Sequence, residues 1–221
     1  MSYPKRAFLF DMDGVIVDSN PQHRLAWEAF TRSYGLETTE AMHERMYGRR
    51  NDQIVRDFFG AGLSAEEVEA RGAAKEALYR KMIAGKVEGM LVPGLRDFLN
   101  HYRDTPKAIA SNAEAENIDF ILDQSGLRPY FAVVLNGHQV SHPKPDPEIY
   151  LRAAELLQVQ PAACIVFEDS HSGVEAGRAA GMRVIGLSTT HGYLPGAALT
   201  IDNFRNGDLH AWLLAEIPAG Q

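Results

Sequence analysis

FLFDMDGVIVDS, residues 8–19, decides how this chain is read. An apolar run stops on two carboxylates, Asp11 and Asp13, and Gly14 follows where the backbone can turn sharply. Apolar residues without polar alternation suit a strand buried on both faces. In open α/β sheets, ligands bind beyond the carboxyl ends of strands. Two carboxylates so close repel each other unless a cation or a proton intervenes. The pair points to nucleophilic attack by Asp11 and general acid/base work by Asp13; the plain alternative is an Asp-rich strand-to-turn junction. A calcium EF-hand loop does not fit, because Gly follows the second Asp at once and the later ligands are missing.

Working outward, four more apolar runs end at polar punctuation: KAIASN (107–112), FAVVLNG (131–137), CIVFEDS (164–170) and MRVIGLS (182–188). Helical patterns over 114–124, 147–157 and 171–180 lie between them. Strand and helix in alternation predict a Rossmann-like, doubly wound parallel sheet. Residues 21–88 read differently, with helical patterns such as HRLAWEAFTRSYG, DQIVRDFFG and AEEVEARGAAKEALYRKMI and no strand. The expected organisation is an α/β core of residues 1–17 and 89–221, with a small all-helical cap, 18–88, inserted after the first strand. Pro93-Gly94 then ends one element and precedes a helix.

The other strand ends carry chemistry too. Ser111 and Asn112 offer a hydroxyl and neighbouring N–H groups suited to phosphate oxygens; an N-cap is the ordinary alternative. Lys144 lies between Pro143 and Pro145, held extended where it can neutralise an aspartate and a phosphate together, or serve as a solvated loop lysine. Glu168 and Asp169 are hard oxygen donors of the kind magnesium takes, and Asp169 or Ser170 also suits a helix N-cap. Together the four clusters supply a nucleophile, an acid, a hydroxyl, a cation and metal ligands, the set that phosphoryl transfer needs.

These motifs resemble the haloacid dehalogenase-like phosphotransferases. DMDGVIVDS is similar to that family's first motif, and Ser111, Lys144 and the Glu168-Asp169 pair to the next three. The helical insert resembles the cap of the subgroup containing phosphoglycolate phosphatases and β-phosphoglucomutases. The resemblance implies phosphorylation of Asp11, proton transfer by Asp13, and phosphoryl binding by Ser111 and Lys144. It further implies Mg2+ held by Asp11, the Asp13 carbonyl and Asp169, with Glu168 counted in the metal site. His23 and Lys75 stand where the mutase branch carries a histidine and a lysine. Arg49, Arg50 and Asn112 complete the expected substrate contacts.

Two departures separate the chain from the mutases. SNAEAEN places Glu114 and Glu116 where a second phosphate would bind, and GRRND puts Asn51 at the position of the mutase arginine. The leading expectation is therefore hydrolysis of a small phosphomonoester such as a sugar phosphate; interconversion of β-glucose 1-phosphate and glucose 6-phosphate is the alternative.

Composition narrows the partners. The chain has 221 residues, 45% of them apolar, and a formal charge of −7. Without a basic cluster beyond Arg49-Arg50, nucleic-acid binding is disfavoured. No apolar run approaches the roughly 20 residues of a membrane span. Asp11 interrupts the first apolar run too early for a signal peptide. A cytoplasmic monomer acting on a phosphorylated metabolite is expected, with the single cysteine, Cys164, as a buried structural thiol. A signalling receiver domain shares the acidic pocket and lysine, but has no long helical insert after its first strand.

Overall fold

The computed structural model describes residues 6–215. Six parallel strands form one sheet in the order β3-β2-β1-β4-β5-β6: Ala7–Phe10, Lys107–Ala110, Val133–Leu135, Cys164–Glu168, Arg183–Leu187 and Leu199–Ile201 for β1 to β6. The doubly wound expectation holds, with a sixth strand added. The segment LTI that forms β6 is short and half exposed, so its three residues carry no apolar run of their own. Strand order reverses on either side of β1, which places a ligand crevice beyond its carboxyl end. Register sharpens this. Phe10 pairs with Ile109 of β2 and with Phe167 of β4, so the residues following all three strands emerge at one level.

Two apolar layers cover the sheet. Phe8, Phe10, Phe98, Ile109 and Phe167 lie in one. Leu9, Ala108, Tyr150, Val166 and Val184 lie in the other. Phe10 stacks on Phe167 with ring centroids 4.8 Å apart. The helices that follow the crossovers are α6 (Leu95–His101), α7 (Ala115–Ser125), α8 (Glu148–Leu157), α9 (His171–Ala179) and α10 (Gly207–Ala215). Gly94 opens α6 at φ +82°, and a Cβ there would stand 2.6 Å from Arg205 Cγ.

Between β1 and α6 the chain is helical: α1 (Asn20–Arg32), α2 (Glu40–Met46), α3 (Asn51–Phe59), α4 (Ala65–Ile83) and the single turn α5 (Val87–Met90). Ser64 and Glu67 start α4 with a reciprocal capping box. Trp27, Phe30, Met46, Ile54, Val55, Phe58 and Val68 make a separate apolar cluster within these helices. Of the expected core, 1–5 and 216–221 lie outside the described residues. Among the described residues, no helix is long and apolar enough to cross a membrane.

Candidate active site

Asp11 leaves β1 with its N–H donated to Phe167 O at 3.0 Å. Lys144, 4% exposed, donates to Asp11 Oδ1 and to Glu168 Oε1, each at 2.6 Å. Glu168 ends β4 and spends both oxygens on donors. Oε1 also accepts Tyr150 OH at 2.7 Å, and Oε2 accepts the Asp169 and Ser170 N–H groups and the Ser170 hydroxyl. Glu168, an expected member of the metal site, fastens Lys144 here. Ser170 caps α9 through Gly173 N–H at 3.1 Å.

Asp169 keeps a different arrangement. Its Oδ2 accepts Asn20 Nδ2 at 3.0 Å and the Thr190 hydroxyl. Gly14 is needed beneath it: φ is +74°, and a Cβ would lie 1.9 Å from Asp169 Oδ2. The acidic crowding perturbs these carboxyls. Burial, opposed by Lys144 and reinforced by Glu168 and Asp13, pushes Asp11 up to about 7. Burial, then Glu168 and Asp11, push Asp169 well above the carboxylate range. One lysine does not balance these carboxylates. Hard oxygen donors with surplus negative charge fit a divalent cation such as Mg2+. A second set of ligand-type side chains, His142, Asp146 and Glu148, has its ligand atoms within 4.8 Å of one another near the surface, between the Lys144 loop and the start of α8. There Glu148 accepts the Ser141 and His142 N–H groups, which ties down the loop.

Asp13 faces the helical insert. Its Oδ1 accepts Ser19 Oγ at 2.5 Å and lies 3.3 Å from His23 Nε2. Burial works against the carboxylate, but His23 and Ser19, with Lys75 beyond, hold Asp13 below its ordinary value. Lys75 Nζ stands 2.7 Å from His23 Nδ1 and 2.8 Å from Glu76 Oε1. An ammonium only donates, so His23 Nδ1 accepts and its proton sits on Nε2, towards Asp13. Glu76 continues the chain, accepting Asn51 Nδ2 at 2.8 Å and Asn117 Nδ2 at 2.7 Å. Burial notwithstanding, Lys75, His23 and Asn117 bring Glu76 down to about 2.

Ser111 lies 2% exposed beyond β2, and its Oγ accepts Ala113 N–H. The N-cap alternative is not realised, since α7 starts at Ala115 behind Glu114. Asn112 Nδ2 donates to Gly48 O at 2.8 Å, while its Oδ1 is buried without a partner.

Asp11, Asp13, His23, Arg49, Lys75, Ser111, Asn112, Lys144, Glu168 and Asp169 all border one cavity of ≈ 60 Å3. Arg50 does not: it precedes α3, pairs with Asp52 at 3.2 Å and donates to Gly137 O at 3.3 Å, strapping insert to core. Asn20, Trp27, Glu76 and Asn117 also border the cavity, and no sequence motif marks them. Glu76 had one usable signal, its adjacency to Lys75.

A haloacid dehalogenase-like hydrolase family model matches residues 5–181. The fructose-1-phosphate phosphatase YqaB of Escherichia coli is 33% identical, over 80% of this chain and 93% of that protein. A phosphorylated carbohydrates phosphatase of Thermotoga maritima is 34% identical, over 87% and 89%. A crystal structure of β-phosphoglucomutase from Clostridium difficile superposes with a TM-score of 0.86 at 24% identity, covering 96% of this chain and 97% of that one. That last likeness is one of fold.

Proposed function

We propose that this chain, which belongs to the haloacid dehalogenase-like hydrolases and acts on phosphate esters, is a Mg2+-dependent phosphatase of a small sugar phosphate. The observation that carries the reading is Lys144, buried and bonded at 2.6 Å to both Asp11 and Glu168. A lysine so fixed holds the nucleophile's carboxylate in place and offers positive charge to an incoming phosphoryl group.

Asp11 attacks phosphorus with the oxygen that Lys144 leaves free. The bond to the ester oxygen breaks, and that oxygen takes the proton of Asp13. Water then yields a proton to Asp13 and attacks the aspartyl-phosphate, which releases inorganic phosphate and restores the Asp11 carboxylate. His23 and Ser19 favour the ionised Asp13 that this second step needs, so the proton spent in the first step arrives with the substrate, whose phosphate monoanion hands it to Asp13. Ser111 binds the transferring oxygens. Asp11, the Asp13 carbonyl and Asp169 would hold Mg2+, which supplies charge neutralisation between nucleophile and phosphate. Residues 18–88 form the cap. In this reading the cap opens to admit the substrate and returns to exclude water.

Asp11→Asn tests the reading: phosphate release with Mg2+ should fall by more than about a thousandfold with an unchanged melting temperature. Intact turnover would overturn it. The contact of His23 with Asp13, with Lys75 behind it on His23 Nδ1, favours a second reading, a sugar-phosphate mutase, in which the cap governs when Asp13 acts. Glucose 6-phosphate formed from β-glucose 1-phosphate and the bisphosphate, without free phosphate, would establish it.

A further inference from the structure

We infer that the cap side of the cavity selects an uncharged, hydroxyl-bearing chain, so that the enzyme takes monophosphates of polyols or sugars and rejects esters bearing a second phosphate or a carboxylate. The inference rests on the phosphatase reading and narrows its substrate.

Three observations carry it. First, one buried acceptor on the cavity wall is unused. Asn112 Oδ1 is buried and unpartnered, while its amide nitrogen donates to Gly48 O. A buried acceptor left unpaired is costly, and a substrate hydroxyl would satisfy it. Second, two carboxylates converge on one amide: Asn51 Nδ2 lies 2.8 Å from Glu76 Oε1 and 3.1 Å from Glu114 Oε1. Third, the neighbouring cations are paired. Lys75 holds Glu76 at 2.8 Å, Arg49 holds Asp57 at 3.2 Å, and His138 meets Glu114 at 2.5 Å. A hydroxyl can donate to these oxygens. A dianion donates nothing, meets two carboxylates, and gains a cation only by breaking an existing pair. A site discriminates as much by such unfavourable groups as by the contacts it offers.

The test uses the full chain with Mg2+ and initial rates of phosphate release from two matched pairs: glucitol 6-phosphate against 6-phosphogluconate, and fructose 1-phosphate against fructose 1,6-bisphosphate. The uncharged member of each pair should have a kcat/KM at least about 100-fold higher. Glu114→Gln should narrow both gaps about tenfold, chiefly through a lower KM for the anionic member. Equal rates within the pairs would overturn the inference and leave the phosphatase reading standing. Gaps unchanged in Glu114→Gln would overturn the part given to that carboxylate. Phosphate release from none of the four esters would sink the phosphatase reading itself, and the inference with it.

Discussion

Lys75 brings an ammonium into a place that is 1% exposed, where His23, Glu76 and the face of Trp27 meet it. Lys75→Met removes the donor that sets the His23 tautomer and strands the Glu76 carboxylate without its cation. Turnover should fall about 10- to 100-fold, and stability by about 3 kcal/mol, read from the urea midpoint. Glu76 adds a pH signature. Its value of about 2 in the fold lies below the ordinary 4.5, so its contribution is present above pH 4.5 and fades as pH falls towards 2. The shift corresponds to about 3 kcal/mol. The stability difference between the parent and Glu76→Gln should therefore shrink between pH 5 and pH 2; a constant difference would count against it. Asp11, Asp13, Ser111, Lys144 and Asp169 were legible in the sequence because each follows an apolar run or is gripped by prolines. Glu76, Asn117 and Tyr150 lie within helices, where nothing local separates a site residue from a surface one.

Helix α9 shows the same logic one level up. Gly173 and Gly177 are one turn apart and both face the sheet, but they protect different things. A Cβ on Gly177 would meet Val184 Cγ2 at 2.7 Å, which is packing against β5. A Cβ on Gly173 would fall 1.8 Å from Glu168 Oε1, on the carboxylate that holds Lys144. Gly177→Ala should cost about 1–3 kcal/mol of stability, with kcat/KM nearly unchanged well below the melting temperature. Gly173→Ala should lower kcat/KM at least about tenfold even at temperatures where it is folded. Equal kinetic effects would show that the helix acts only as a scaffold. Among elements, β1 to β5 and the helices between them announced themselves by period and punctuation, the three residues of β3 within the longer apolar run 131–135. β6 and α2 did not: three half-exposed residues and a seven-residue helix carry too little pattern, and pairing with β5 and packing on α3 decide them.

At the scale of the molecule, the proposed division into core and cap makes a prediction about unfolding. The insert's own cluster holds seven buried residues, far fewer than either layer on the sheet. That the insert is helical was readable from the sequence. How it sits on the core was not, because the seating depends on long-range bonds such as Asn112 to Gly48 and Arg80 to Asn117. The two tryptophans divide the same way, Trp27 in the helical cluster and Trp212 on α10 against the core. Two single-tryptophan variants, Trp212→Phe and Trp27→Phe, therefore report on the two parts separately. The Trp27 signal should be lost in urea about 0.5 M or more before the Trp212 signal, since less buried apolar area supports it. Against this, Tyr79 and Ile83 of α4 belong to the sheet's own layer and tie the insert to it. If those ties dominate, both signals change at one midpoint and the insert is part of a single cooperative unit. A separated pair of midpoints that converges when orthophosphate and Mg2+ are added would instead mark the insert as an independently folding cap that a ligand fastens to the core.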